Sequence, residues 1–181
     1  MAKTEVGQDH FLPYTSKFSP YRHLFMITAG SSGNFTFYNY NSTLNKNVDL
    51  VNLESFQIAY QPIIDFVYTD KPNVPCFGSA DGSIIFFNLD NDINKCSIIA
   101  TYHPYEQSLT SMCMLSTCVV SASRDGHMKG IDPRLENAEC CYDINTKLQV
   151  ITSVVSIDSY YLICSGQKSE IFIYDVRNPK K

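Results

Sequence analysis

The chain has 181 residues, 44% apolar and 18% charged, with 14 Lys and Arg against 18 Asp and Glu, a net charge of −4. That apolar content excludes a wholly disordered chain, and the mildly acidic balance argues against direct nucleic-acid binding by phosphate neutralisation. No apolar run approaches the ~18 residues of a membrane span, and Met1–His10 carries no signal-peptide stretch, so no membrane role is expected.

Short runs rich in Ile, Val, Phe, Tyr and Thr, punctuated by Gly, Asp, Asn and Pro, predict β-strands throughout. A helical 3.6-residue period is hard to find. After an N-terminal extension over 1–13, the first unit places strands at Tyr14–Ser19, Phe25–Gly30 and Phe35–Asn39, with an outer strand at Val48–Leu53. The second repeats this at Ile63–Thr69, Val74–Ala80 and Ile84–Asn88, with Ser97–His103 outside. The third follows at Leu109–Leu115, Cys118–Ser123 and Met128–Asp132, with Glu136–Ile144 outside. The fourth has Ile151–Ile157, Tyr161–Gly166 and Ile171–Asp175, and Lys181 follows before any outer strand.

The closing strands share an ending. Each finishes on an apolar residue followed by Asn39, Asn88, Asp132 or Asp175, spaced 49, 44 and 43 residues apart. A turn precedes each one: Ser31-Ser32-Gly33, Asp81-Gly82, Asp125-Gly126 and Gly166-Gln167. Small residues there permit the positive φ of tight hairpins. The last two units add an arginine, in Asp132-Pro133-Arg134 and Asp175-Val176-Arg177.

Four antiparallel strands per unit, at a period in the mid-forties, predict an all-β chain forming a partial β-propeller of about three and three-quarter four-stranded blades. The blades cover 14–53, 63–103, 109–144 and 151–177. A β-sandwich is the competing fold, but it does not require the same closing residues at regular intervals.

Motifs for chemistry are sparse. There is no phosphate loop, no His-Glu-x-x-His and no Gly-x-Ser-x-Gly, and histidines 10, 23, 103 and 127 are scattered, so no catalytic residue, metal or cofactor is assigned. Asp81 and Asp125 sit in equivalent turns. Paired carboxylates can do acid–base work, but Asp before Gly is ordinary hairpin chemistry. Seven cysteines include no Cys-x-x-Cys pair, and most lie in apolar runs, which predicts small buried thiols in a reducing compartment. Adjacent Cys140 and Cys141 are expected to point to opposite faces of a strand. The sequons at Asn34 and Asn41 are expected to stay unmodified. Tyr60 and Tyr105 fall in loops expected to emerge at one end of the blades.

The closing pairs Tyr38-Asn39, Phe87-Asn88, Ile131-Asp132 and Tyr174-Asp175 resemble the Trp-Asp ending of the WD-repeat family, although the chain contains no Trp. The resemblance implies a non-enzymatic scaffold that binds a peptide across one end. Its contacts would come from Ser31, Ser32, Tyr60, Asp81, Tyr105, Arg124, Asp125, Gln167 and Lys168. It also implies a buried hydrogen-bonded set in the third unit, built from His103, Asp125 and Ser121 or Ser123, with Ile131 in place of the Trp. His103, Asp125, Asp132, Arg134, Asp175 and Arg177 are accordingly expected to be structural.

Four stretches resemble the branch of that family serving the spindle checkpoint and mRNA export. They are Ser16–Pro20, Phe77–Ser83 with Asn88–Asp90, Ser123–Asp125 through Asp132–Arg134, and Val154–Ser159 through Tyr174–Asn178. That branch binds an extended GLEBS motif of checkpoint kinases or kinetochore proteins, which implies a nuclear location. Ser31 and Arg124 stand where its turn tryptophans do, which removes about 2 kcal/mol or more of hot-spot energy each. Arg124 is left to pair with an acidic ligand residue. Members carry about seven blades, so four predict open blade faces and edges. Either the array is truncated, with no stable function of its own, or another chain completes it.

Overall fold

The computed structural model describes residues 12–21, 25–41, 49–90, 93–134 and 140–178. The expected strand starts at Val48 and Glu136, His10, His23 and Ser42-Thr43 lie outside them.

Four antiparallel sheets form in chain order. Blade 1 contains β1 (Pro13–Phe18), β2 (Phe25–Gly30), β3 (Asn34–Asn41) and β4 (Asp49–Gln57). Blade 2 contains β5 (Ile63–Tyr68), β6 (Pro75–Ser79), β7 (Ile84–Asn88) and β8 (Ser97–Tyr102). Blade 3 contains β9 (Leu109–Leu115), β10 (Cys118–Ser123), β11 (His127–Ile131) and β12 (Cys140–Asn145). Blade 4 has three strands, β13 (Ile151–Ser156), β14 (Tyr161–Gly166) and β15 (Ile171–Asp175). A 3-10 turn at Ile93–Lys95 is the one helical element of the described residues. β4 runs four residues past its expected end at Leu53.

Strand burial follows position. β6 is buried along its whole length and β7 along all but its last residue, because neighbouring sheets cover both faces. The outer strands β8 and β12 are mostly exposed. A sandwich would pair two sheets through one face each. Here blades 2 and 3 are covered on both.

Three apolar seams join the blades. Ile27, Phe35 and Phe37 of blade 1 meet Phe66, Phe77 and Phe87 of blade 2. The Phe35 and Phe77 rings stack at 4.5 Å, and Phe87 meets Phe35 edge-on at 5.1 Å, geometries that favour aromatic pairs. Val67, Ile84 and Phe86 meet Leu109, Met112 and Val119 of blade 3. Val120, Ala122 and Met128 meet Ile151, Val154 and Leu162 of blade 4.

One extra residue bulges each first strand at the same place. The register skips Tyr14, Ile64, Thr110 and Thr152. The outer strands of blades 1, 2 and 3 skip Leu53, Ile99 and Cys141. Bulges sharpen local twist, which suits sheets fanned about an axis.

The hairpin turns need left-handed backbone. Gly82 and Gly126 have φ of 83° and 84°. A Cβ on Gly126 would lie 2.2 Å from the Leu148 carbonyl oxygen, on the segment leading into blade 4. The fourth turn departs from expectation: its positive φ falls on Ser169 (57°), not on Gly166. Its hairpin closes from the Gly166 amide to the Glu170 carbonyl, so the left-handed position moves to the third loop residue.

Gly126→Ala therefore meets both a disfavoured φ and a backbone clash. It should lower stability by about 1–3 kcal/mol in a denaturant titration, with the m-value unchanged.

Candidate functional site

The second-to-third-strand turns and the loops between blades share one end of the array. The Gly33 carbonyl accepts the Ile58 and Ala59 amides at 3.1 and 3.2 Å, and the Gly126 carbonyl accepts the Thr146 amide at 3.0 Å and its hydroxyl at 2.8 Å. The turns of blades 1, 2 and 3 are also latched to the start of their own blade. The amides of Ser31, Ala80 and Arg124 donate to the carbonyls of Leu12, Pro62 and Ser108 at 3.0, 2.8 and 3.0 Å. The Leu12 amide returns a bond to the Ser31 hydroxyl at 3.0 Å. Ser31 and Arg124 thus hold the same place in their blades.

The turn carboxylates act locally. Asp81 Oδ1 accepts the Ser83 amide and Asp125 Oδ1 the His127 amide, both at 2.9 Å. Partial burial pushes the Asp81 carboxyl up. Hydrogen bonds from the Ser83 hydroxyl and amide and from Ser79, together with the His103 charge, outweigh that and hold it below the usual carboxylate range. Ser32 is half-buried, while Arg124, Gln167 and Lys168 are exposed.

Tyr60 is 98% exposed on the loop pinned to Gly33. Tyr105 does not emerge with it. It is 5% exposed in the seam between blades 2 and 3. Its hydroxyl lies 2.7 Å from the Ser121 carbonyl and 2.9 Å from the Ser121 hydroxyl, and accepts the Lys129 amide at 2.9 Å. Burial pushes the phenol well above its ordinary range. Lys129 Nζ sits 5.3 Å from the ring centre and donates to the Pro104 carbonyl at 2.7 Å.

The expected set centred on His103 does not form. His103 is exposed and acts on Asp81 of its own blade through charge, whereas Tyr105, two residues on, makes the buried link to Ser121. With Ile131 buried among apolar side chains, no Trp nitrogen is there to complete a histidine-centred set. The tyrosine hydroxyl takes over by donating to Ser121 and accepting from Lys129.

Around this hub lies a solvent-open cleft of about 280 Å³, lined by Pro104, Glu106, Gln107, Asp125, His127 and Lys129. Asp143 on β12 holds His127 Nδ1 at 2.7 Å and Lys129 Nζ at 3.6 Å. Sequence reasoning missed Glu106, His127, Lys129 and Asp143. The alternation of β11 does place His127 and Lys129 on one face.

At the opposite end, Asp132 and Asp175 close their blades. Asp132 Oδ1 accepts the Arg134 amide at 3.0 Å and its Nε at 2.9 Å. Asp175 binds Arg177 at the same two distances. The Arg134 guanidinium continues to the Thr117 hydroxyl at 2.8 Å, and that of Arg177 to the Tyr161 hydroxyl at 3.1 Å. Hydrogen bonds from Arg134 hold the Asp132 carboxyl below its usual range.

The cysteines differ from expectation. None of the seven forms a disulfide, and only Cys76 and Cys164 are buried. Burial lifts the Cys164 thiol to about 11. Cys140 and Cys141 are exposed because the outer strand meets water, and Cys141 Sγ approaches Cys118 Sγ at 4.0 Å. Among the described residues, no group of three His, Cys, Asp or Glu side chains could hold a metal ion. None of their helices is long and apolar enough to cross a membrane.

No family model matches the chain, and no curated protein matches it. Among solved structures it is similar to the WD40 beta propeller domain of Doa1, with a TM-score of 0.71 at 16% identity. The match covers 89% of this chain and 50% of the Doa1 chain, so this chain spans about half the length of that structure. The fold is a β-propeller. At this identity the likeness is one of architecture, and the checkpoint and RNA-export branch rests on the sequence stretches alone.

Two substitutions probe the framework. Tyr105→Phe leaves Ser121 and the Lys129 amide without the hydroxyl, and should cost about 1–3 kcal/mol in a urea titration. Asp132 has a lower pKa folded than unfolded, so its stabilisation is present above the unfolded value. It is lost as pH falls through the lowered folded value. Asp132→Asn should therefore lower the melting temperature at neutral pH and flatten the loss of stability below about pH 4.

Proposed function

We propose that this chain is a non-enzymatic WD-repeat scaffold of the Bub-three type, holding an extended GLEBS-like peptide from a checkpoint kinase or kinetochore protein. The observation that carries the binding role is Tyr60. A ring left 98% in water, on a loop tied down at both Ile58 and Ala59, is an aromatic anchor held ready at little entropic cost. The latched turns at the same end carry exposed polar groups, of which Arg124 supplies a charge for an acidic peptide residue. Asp81 and Asp125 are already occupied as turn caps, which favours binding over acid–base chemistry. The nuclear and kinetochore setting follows from the sequence resemblance.

Binding of a fluorescent GLEBS-type peptide to the soluble chain tests this reading. Tyr60→Ala should weaken it about 30-fold, the equivalent of a hot-spot loss near 2 kcal/mol. Arg124→Ala should weaken it less and reduce its salt dependence. Absence of binding rejects the partner. Tighter binding of a nuclear-pore peptide than of a checkpoint peptide moves the assignment to the RNA-export member, Rae-one.

A further inference from the structure

Blade 3 brings together two sulfurs that lie far apart in the chain. Cys118 opens β10 and Cys141 lies on β12, with β11 between them. Their Sγ atoms are 4.0 Å apart. The end of β11 leaves room for that contact. Its last residue, Ile131, faces Val119 on β10, so Cys118 lies one position past the end of that ladder. The Ile131 side chain turns into the seam with blade 2. Gly130, the residue before it, has no side chain, and a Cβ there would lie 2.0 Å from the Tyr142 ring of β12. The end of β11 thus presents bare backbone on the face where the sulfurs meet.

The bulge in β12 supplies the other half. β12 opposes Ile131 with Cys140 and Gly130 with Tyr142, so Cys141 is the extra residue that the register skips. A bulged residue is released from pairing, and its side chain is re-aimed. The Cys140 thiol donates to the Tyr142 carbonyl at 2.9 Å, while Cys141 reaches Cys118.

Both sulfurs are open to a reagent. Cys141 is exposed and Cys118 half-buried, in contrast to buried Cys76 and Cys164. A disulfide bond is about 2.05 Å long, so closure brings the sulfurs roughly 2 Å nearer. Side-chain rotation and β12 itself supply the movement, because β12 is the outer strand, mostly exposed and paired on one side only. Arg134 holds the Thr117 hydroxyl, next to Cys118, at 2.8 Å, and a cation at this point favours a thiolate. Partial burial, and then Cys118, raise the Cys141 thiol above its ordinary value, so exchange is slow at neutral pH.

We propose that Cys118 and Cys141 form a reversible disulfide by exchange with a low-molecular-weight disulfide such as glutathione disulfide. The exposed Cys141 thiolate attacks one sulfur of that molecule, breaks its sulfur–sulfur bond and releases one thiol. The Cys118 thiolate then attacks Cys141 Sγ and releases the second. Two electrons pass to the external disulfide, and the two cysteine protons end on the two thiols released. The bridge ties β12 to β10, and with it Asp143, which holds His127 and Lys129 at the cleft. The pair lies at the end away from the turn rim, so the bridge stands independently of the peptide reading.

Peptide mapping by mass spectrometry, after incubating the reduced chain with glutathione disulfide, tests the bridge. A linked peptide joining Cys118 to Cys141 is expected, lost again on reduction. Cys118→Ser should hold one glutathione on Cys141 in its place, with an unchanged far-ultraviolet spectrum, and Cys140→Ser should still form the link. Amide exchange along β12 should slow on oxidation and recover on reduction. A link from Cys118 to Cys140, a bridge between two chains, or lasting glutathione adducts on both Cys118 and Cys141 overturns the proposal. Exchange along β12 that oxidation leaves unchanged overturns the tie between the strands.

Discussion

A blade here is apolar on both faces, and that single constraint organises the molecule. A sheet with one wet face can stand alone against a core. A sheet such as β5–β8, whose middle strands are buried almost throughout, needs a neighbour on each side. The aromatic seam between blades 1 and 2 shows the consequence. Phe35 touches Phe56 of its own sheet and Phe77 and Phe87 of the next, so neither sheet packs without the other. Stability is then a sum of nearest-neighbour seams, as in other repeat folds.

The seams also set register. Apolar contact alone tolerates sliding, but the bond the Met112 amide donates to Asp65 and its counterpart from the Val154 amide to Ser111 do not. Lys17 adds a third tie by reaching Asp65 from blade 1 at 2.7 Å. One carboxylate therefore fixes blades 1, 2 and 3 relative to one another. Because the turns latch to strand starts and abut the inter-blade loops, that register passes directly to the exposed rim. A rim held this way loses little freedom when it meets a ligand.

The strands and turns were legible in the sequence because short apolar runs, Asp-Gly turns and the recurring closing Asn or Asp each report local backbone chemistry. The bulges at Tyr14, Ile64, Thr110 and Thr152 were not, since a bulge depends on the partner strand and no residue type marks it. The buried hub was misplaced for a related reason. His103 and Tyr105 lie two residues apart in one polar stretch, and only the chain's path decides which enters the seam. The fourth turn misled because Gly166 is the residue expected at positive φ, while the hairpin's closing pair put Ser169 there. The Asp–Arg closures at 132–134 and 175–177 were readable because their partners are two residues apart.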